Sequence, residues 1–329
     1  MKVCERTECS FHKWYPLFKS VTIKSVIEQI PSEVLSYLKE DGIVLPVEAN
    51  SQPRVSDEVE SDYTVNWLDG NDDEDEEDES PSFPEFSSKL KEAIGALGGE
   101  VFIKTNWSAP TDSSWITSCK TLKCKRLEDV YLLLNSSDRL MENFLSPLKT
   151  SKNGQEQSHC IILKKWMDIH PGTEFRCFVK DMVLLAITQR DCSDFFQHIS
   201  EEKFDIIQDI TDFFNNNIKN KFSLPNFTFD VVRQKKSKVV LLDFGVFNKK
   251  FSKSYLFTWD ELLDISKAMK DGDKAEFRYI GSETGIQPSA NAFESMCGLP
   301  LDVKYMTNDF SLINLIQEEI TQQNQEDDV

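Results

Sequence analysis

Apolar residues along the chain fall into short runs whose spacing alternates between two and about 3.6 residues, so strands and helices are mixed rather than segregated. A strand is expected near 21–27, after a short aromatic turn at 14–18, followed by a helix that Pro31 opens and Gly42 stops. Another helix starts near Pro84 and closes at Gly98 and Gly99, with a strand, VFIKT, directly behind it. Amphipathic spacing predicts helices over 127–135 and 136–148, strands within 159–167 and 173–190, and a long helix over 200–222. That helix should bury Phe204, Ile207, Ile210, Phe214 and Ile218 on one face. Two strand-like runs, 226–232 and 238–247, are joined by the basic link RQKKS. Thr258 with Glu261 three residues on is a capping box that opens a further helix, and a last helix is expected over 309–320.

Without strict strand–helix alternation, this order predicts an α+β fold with mostly antiparallel sheets covered by helices. A chain of 329 residues with 40% hydrophobic content and 23 Phe can build one large domain or two ordinary ones. Its net charge of −19 is unevenly placed. Residues 57–79 hold 13 acids and no base, and the end from Glu318 to Val329 holds 5, so the remaining body is close to neutral. The acidic segment, about 50–80, should be a disordered linker in which YTVNW is a local island, and neither it nor the tail suits nucleic acid or an anionic membrane. The eight cysteines include no C-x-x-C pair, there is no apolar stretch of signal-peptide or membrane-spanning length, and a cytoplasmic, reducing setting is expected. Cys4, Cys9 and His12 lack the fourth ligand and tight spacing of a zinc site.

The two runs flanking RQKKS each carry an aspartate where the pattern asks for a core residue. Facing residues of an antiparallel hairpin share a constant sum of positions, about 472 for a turn near Lys236, and Asp230 with Asp243 gives 473. They should therefore be cross-strand neighbours roughly 4.5–5.5 Å apart at Cβ, an arrangement of like charges that is destabilising without a cation between them. Mg²⁺ held beside a phosphate would meet that need, and so would nearby Lys or Arg on an ordinary charged sheet face. The DFG at Asp243–Gly245 does not make a kinase. The QRD at 189–191 lies upstream without the required Asn, and neither G-x-G-x-x-G nor G-x-x-x-x-G-K-[ST] occurs.

Phosphate needs cations on rigid elements. Lys104 lies in VFIKT, Lys164 and Lys165 in IILKKW, and Arg176 and Arg190 on neighbouring strands, with Glu174 on the face of Arg176. Alternation lets only one of Lys164 and Lys165 face a given ligand. Trp166 and Met167, at the end of an apolar strand, are candidates for an adenine wall.

The stretches HKWYPLFKSVTIKSVIEQIP, LGGEVFIKTNWSAPTDSSWI, LKCKRLEDVYLLLNSSD, LKKWMDIHPGTEFRCFVK, ITQRD and SYLFTWDEL closely resemble the cell-division-cycle protein 123 family, over about residues 10–265. The resemblance implies an ATP-grasp fold whose two α+β subdomains enclose a nucleotide cleft. They are an N-terminal subdomain at 1–150 and a C-terminal one at 151–310, with a helix and acidic tail at 311–329. It also implies an assembly chaperone, monomeric and cytoplasmic, that binds the gamma subunit of eukaryotic translation initiation factor 2 through that subunit's C-terminal domain and promotes its joining with alpha and beta. Carried over by position, Lys104 would hold phosphate, and Trp107 and Ala109 would lie in the loop behind it. Lys164 or Lys165 would touch phosphate or adenine, Trp166 and Met167 would meet the adenine ring, and Glu174 would hold the ribose. Arg176 and Arg190 would hold phosphate, and Asp230 and Asp243 would coordinate Mg²⁺. Two departures stand out. The family usually reads Asp-Phe-Asn-Pro-Phe where this chain has DFGVF, so Gly245 replaces an Asn that helps hold metal, and Thr111 stands where Arg is common. Weaker binding of ATP–Mg²⁺ than in the relatives is expected, unless water or Asn248 substitutes. An ATP-grasp ligase, for which no second-substrate residues can be named, and an interaction protein with a degenerate nucleotide site are the alternatives.

Overall fold

The computed structural model describes residues 5–40, 42–50, 80–117, 121–145, 158–269 and 273–282. The acidic segment, the helix expected at 309–320 and the tail lie outside these residues. The helices are α1 (Glu5–Glu8), α2 (Phe11–Phe18), α3 (Ser32–Tyr37), α4 (Pro84–Ala96), α5 (Leu127–Asn135), α6 (Asp138–Leu145), α7 (Gln197–Phe213) and α8 (Trp259–Ala268). The strands are β1 (Ser25–Gln29), β2 (Val101–Thr105), β3 (Lys123–Cys124), β4 (Cys160–Lys165), β5 (Glu174–Lys180), β6 (Val183–Gln189), β7 (Phe227–Lys235), β8 (Lys238–Val246) and β9 (Glu276–Arg278). They form two sheets, ordered β1-β4-β2-β3 and β8-β7-β5-β6-β9, antiparallel throughout except for the parallel pair β6–β9. The α+β architecture expected from the pattern is therefore present.

Proline at the first turn opens α4, and Gly98 and Gly99, at φ 100° and 85°, close it in the left-handed region that side chains avoid. Together with α3, α5 and α6 it covers one face of the first sheet, where Leu90, Val130 and Tyr131 pack on Val101, Ile103, Ile161 and Leu163. β4 lies beyond the boundary expected at 150, yet it pairs with both β1 and β2, so the chain leaves the first sheet after Lys165.

The expected aromatic turn at 14–18 is instead part of α2. Phe11, Trp14, Tyr15 and Phe18, spaced as one helical face, are all buried, and Pro16 is accommodated inside the helix. They enter the core beneath the second sheet, against a nearly parallel stack of Phe222 on Phe244 with ring centroids 4.0 Å apart. α7 and the turn after it cover the same face with most of the expected residues: Ile210, Phe214 and Ile218 are buried and Ile207 is half-buried, joined by Ile199, Ile206 and Phe213. Phe204 departs from the expectation and is 73% exposed. A π-helical turn, Phe214–Ile218, widens the last stretch and keeps both Phe214 and Ile218 buried. On the sheet's other face, α8 seals one end with Phe178, Ala186, Phe257 and Leu262, and its capping box from Thr258 to Glu261 forms as expected.

The β7–β8 hairpin turns at Lys236–Ser237, with Ser237 at φ 60°. Pairing runs Val231↔Leu241 and then Asp230↔Asp243, so Leu242 is an inserted β-bulge residue. Leu241 and Phe244 are three positions apart and would lie on opposite faces under strict alternation. The bulge brings both into the core and leaves Asp243 opposite Asp230. The two sheets are tied where residues 21 and 22 run beside β8. Thr22 forms an isolated parallel bridge with Leu241, and the Leu241 amide donates to the Val21 carbonyl at 2.9 Å. The expected strand at 21–27 thus begins late, at Ser25, because its first residues serve the other sheet.

Candidate functional site

One rung of the second sheet carries chemistry across four strands: Thr188 on β6, Arg176 on β5, Asp230 on β7 and Asp243 on β8. Arg176 grips Asp230 with two parallel bonds, Nε to Oδ1 and Nη2 to Oδ2, both 2.7 Å. Its Nη1 donates to the Lys253 carbonyl at 3.1 Å. Arg190, just beyond β6, pairs through Nη1 with Glu174, which lies one residue pair along β5 from Arg176, and donates from Nε to the Tyr255 hydroxyl at 3.2 Å. Burial by itself would push the Asp230 carboxyl up, but the neighbouring Arg176 and Arg190 guanidiniums outweigh it and hold the group below its ordinary value.

The first sheet faces this rung with lysines. Lys104 on β2 opposes Ile162, and Lys164 on β4 opposes Phe102, which sets the two amines on one face. Lys104 pairs with Asp243, and Lys164 donates to the Leu242 carbonyl at 2.8 Å. Both thus reach across to the β8 bulge, and each ammonium lies 5.3 Å from the centre of the Phe11 ring. Burial pushes the Lys164 amine down to about 8, and the charge on Lys104 adds to this against the pull of Asp243. Lys165 alternates to the opposite side and is exposed, so of the adjacent lysines Lys164 is the one that joins the site.

Lys104, Lys164, Glu174, Arg176, Arg190, Asp230, Asp243 and Gly245 therefore converge at one seam between the sheets. Trp107 and Ala109 sit beside it in the loop after β2. Trp107 donates from Nε1 to the Arg6 carbonyl at 2.7 Å and lies under the Arg6 guanidinium. Trp166 and Met167 form the connection from β4 to β5. The Trp166 amide is spent on the Glu100 carbonyl at 2.9 Å, and Gln234 reaches the Met167 sulfur at 3.0 Å. Thr111 receives Nη1 of Arg139 at 2.7 Å, which brings a guanidinium from α6 to that position. A surface hollow of about 260 Å³ ringed by Glu48, Lys91, Lys125 and Arg126 shares no residue with the seam.

Gly245 lies opposite Thr228, two residues beyond Asp243 on the same face. A Cβ there would sit 2.5 Å from the Thr228 hydroxyl and 3.0 Å from that of Ser252, so this cross-strand pair is built around a glycine. Asn248 does not replace the missing amide, because its Oδ1 accepts from the Lys250 amide at 2.8 Å in a local turn. Two carboxylates on one rung are what Mg²⁺ commonly takes from a protein while phosphates and waters complete its shell, and the surrounding cations match phosphate oxygens. The donor set fits that group. Among the described residues no cluster of three or more His, Cys, Asp or Glu forms a fuller metal cage. Sequence reasoning missed Phe11, Thr228 and Tyr255. The helical spacing of the aromatics could have pointed to Phe11, whereas Tyr255 lies in an irregular stretch without periodicity.

Two mostly antiparallel sheets meeting at a seam of strand-borne cations and paired carboxylates define an α+β protein with a charged site between lobes. The chain belongs to the D123 family, whose family model matches residues 14–307. It is 36% identical to the translation initiation factor eIF2 assembly protein of Xenopus tropicalis over 88% of each chain. It is 34% identical to the protein of that name from Dictyostelium discoideum over 91% of each, and 33% identical to cell division cycle protein 123 of Phaeosphaeria nodorum over 85% of this chain and 74% of that one. Among solved structures, Cdc123 from Schizosaccharomyces pombe matches with a TM-score of 0.66 at 30% identity, covering 86% of this chain and 100% of that one.

Proposed function

We propose that the protein is an ATP–Mg²⁺-binding assembly chaperone of eukaryotic translation initiation factor 2. In this reading it has an ATP-grasp fold, acts as a cytoplasmic monomer, binds the gamma subunit through that subunit's C-terminal domain, and promotes its joining with alpha and beta. The names of the relatives support the assembly role. The observation that carries the nucleotide is the seam itself, in which Lys104, Lys164, Arg176 and Arg190 surround the facing carboxylates Asp230 and Asp243. Asp230 and Asp243 would hold Mg²⁺, Lys104, Arg176 and Arg190 the phosphates, Glu174 the ribose, and Trp166 with Met167 the adenine. The ion, when bound, neutralises phosphate charge. In this chain Lys104 and Asp243 hold each other across the seam, so parting them frees a phosphate donor and a metal ligand together. That exchange would couple the position of the two sheets to occupancy, to the extent that ligand binds the two arrangements differently.

Thermal melting with and without ATP and Mg²⁺ tests the nucleotide half. Ligand well above its dissociation constant stabilises a fold by a few kcal/mol, and Asp243→Ala should abolish the shift. Capture of the factor's gamma subunit by the wild type, and reduced capture by Asp243→Ala, tests the partner half. An unshifted wild type that still captures the subunit favours a second reading, an interaction protein with a degenerate nucleotide site. Two features support that reading: Gly245 brings no side-chain oxygen, and each carboxylate is already matched by a protein cation. Turnover of ATP with a small carboxylate would instead favour a ligase.

A further inference from the structure

Among the described non-glycine residues at positive φ, Tyr255 is the one aromatic, at φ 53°. A bulky side chain is disfavoured in that region, and such conformations persist where the surroundings over-determine them. Here they do so from both sides. Upstream, Ser252 is fastened to the Val246 carbonyl at 2.7 Å, and Arg176 Nη1 holds the Lys253 carbonyl at 3.1 Å. Downstream, Arg278 Nη1 holds the Leu256 carbonyl at 3.1 Å, and Phe257 is buried under α8.

The side chain so placed touches both arginines of the seam. Its ring lies 5.1 Å from the Arg176 guanidinium carbon, and its hydroxyl accepts from Arg190 Nε at 3.2 Å. Arg190 thus has Nε on Tyr255 and Nη1 on Glu174, while its Nη2 donates to no protein atom among the described residues. We infer that Tyr255 is a positioning residue for anion recognition: it fixes the planes of Arg176 and Arg190 so that the open edge of Arg190 is presented to the phosphates of the nucleotide. The inference rests on the proposed function, and the strained backbone at 255 is part of how the site is pre-organised rather than a device for stability.

Calorimetric titration of the full chain with ATP–Mg²⁺, and separately with adenosine, tests this together with melting of the unliganded protein. Tyr255→Phe keeps the ring and removes the hydroxyl, and should weaken ATP binding about tenfold, the low end for one hydrogen bond to a charged group. Tyr255→Asn suits the left-handed backbone but removes the ring, and should weaken ATP binding by roughly tenfold or more without lowering the melting temperature. Adenosine binding should be unchanged in both. Combined with Arg190→Lys, either substitution should cost much less than the sum of the single effects. Wild type that binds no ATP overturns the proposed function and this inference with it. Wild type that binds ATP while both variants stay within twofold of it, or lose ATP and adenosine equally, overturns this inference alone.

Discussion

The two sheets present opposite kinds of polar surface to the same seam. The second sheet offers a rigid rung, in which Arg176 and Asp230 meet by two bonds and Arg190 is held by Glu174 and Tyr255. The first offers two lysines, single-point cations on flexible stems, which reach across to a bulge in β8. A planar guanidinium fork fixes geometry, whereas an ammonium adapts to whichever acceptor is nearest. The difference teaches that the second sheet sets the shape of the site and the first closes onto it, so equal charge changes on the two sides should have unequal effects.

The largest effect is expected at the rigid rung. Asp230→Ala would leave Arg176 buried without its anion and should cost about 3–5 kcal/mol in denaturant unfolding. Because the Asp230 carboxyl is held below its ordinary value, its contribution is present above the unfolded value of 3.8 and is lost as pH falls through the folded one. The acid limb of wild type should therefore be steeper than that of Asp230→Ala.

On the adaptable side the slope has the same sign but a different window and cause, because burial disfavours the charge of Lys164 where ion pairing favours that of Asp230. Lys164 is lowered from 10.5 to about 8, so between these values the unfolded chain holds the proton and the folded chain releases it, and stability rises with pH. Relative to Lys164→Met, wild type should gain roughly 2–3 kcal/mol across that interval. A flat difference would mean that Lys164 is wetter than its surroundings indicate.

A smaller cost is expected where the glycine sits. Gly245→Asn alone should destabilise by roughly 1–3 kcal/mol, because the new Cβ meets Thr228. Thr228→Ala in the same chain should recover much of that loss. The double variant, not the single one, is therefore the fair test of whether an amide at 245 strengthens Mg²⁺ binding. At the small end, Lys165→Ala should leave both melting and nucleotide titration unchanged, since the side chain is exposed on the far face. Any sizeable loss there would break the contrast between the two sides.

The elements that local pattern describes well are those whose burial is decided by their own spacing. Pro84 to Gly99, the run at 127–135 and the Thr258 capping box carry their start and stop signals within a turn or two. The pairing of Asp230 with Asp243 was legible too, because a hairpin constrains its own register, although the bulge at Leu242 that makes the count work was not. Phe204 failed for the complementary reason: on a helix with apolar residues around much of its girth, the sheet beneath chooses the face, and it chose Ile206 beside the expected Ile210. The same holds for Lys164 over Lys165, where two adjacent cations are equivalent until a second sheet arrives on one side.

By itself, then, the order of residues determined the α+β class, most of the helices and strands, the paired aspartates and the cations that could serve them, because each depends on contacts close in the chain. Tertiary structure alone decided that residues 21 and 22 would join the second sheet and that β4 would complete the first. It also decided that Lys104 would meet Asp243 across 139 positions and that Tyr255 would be bent into the left-handed region to reach both arginines. These depend on which surfaces two sheets can bury against each other, and no local spacing encodes the distance between groups that meet only when both lobes are formed.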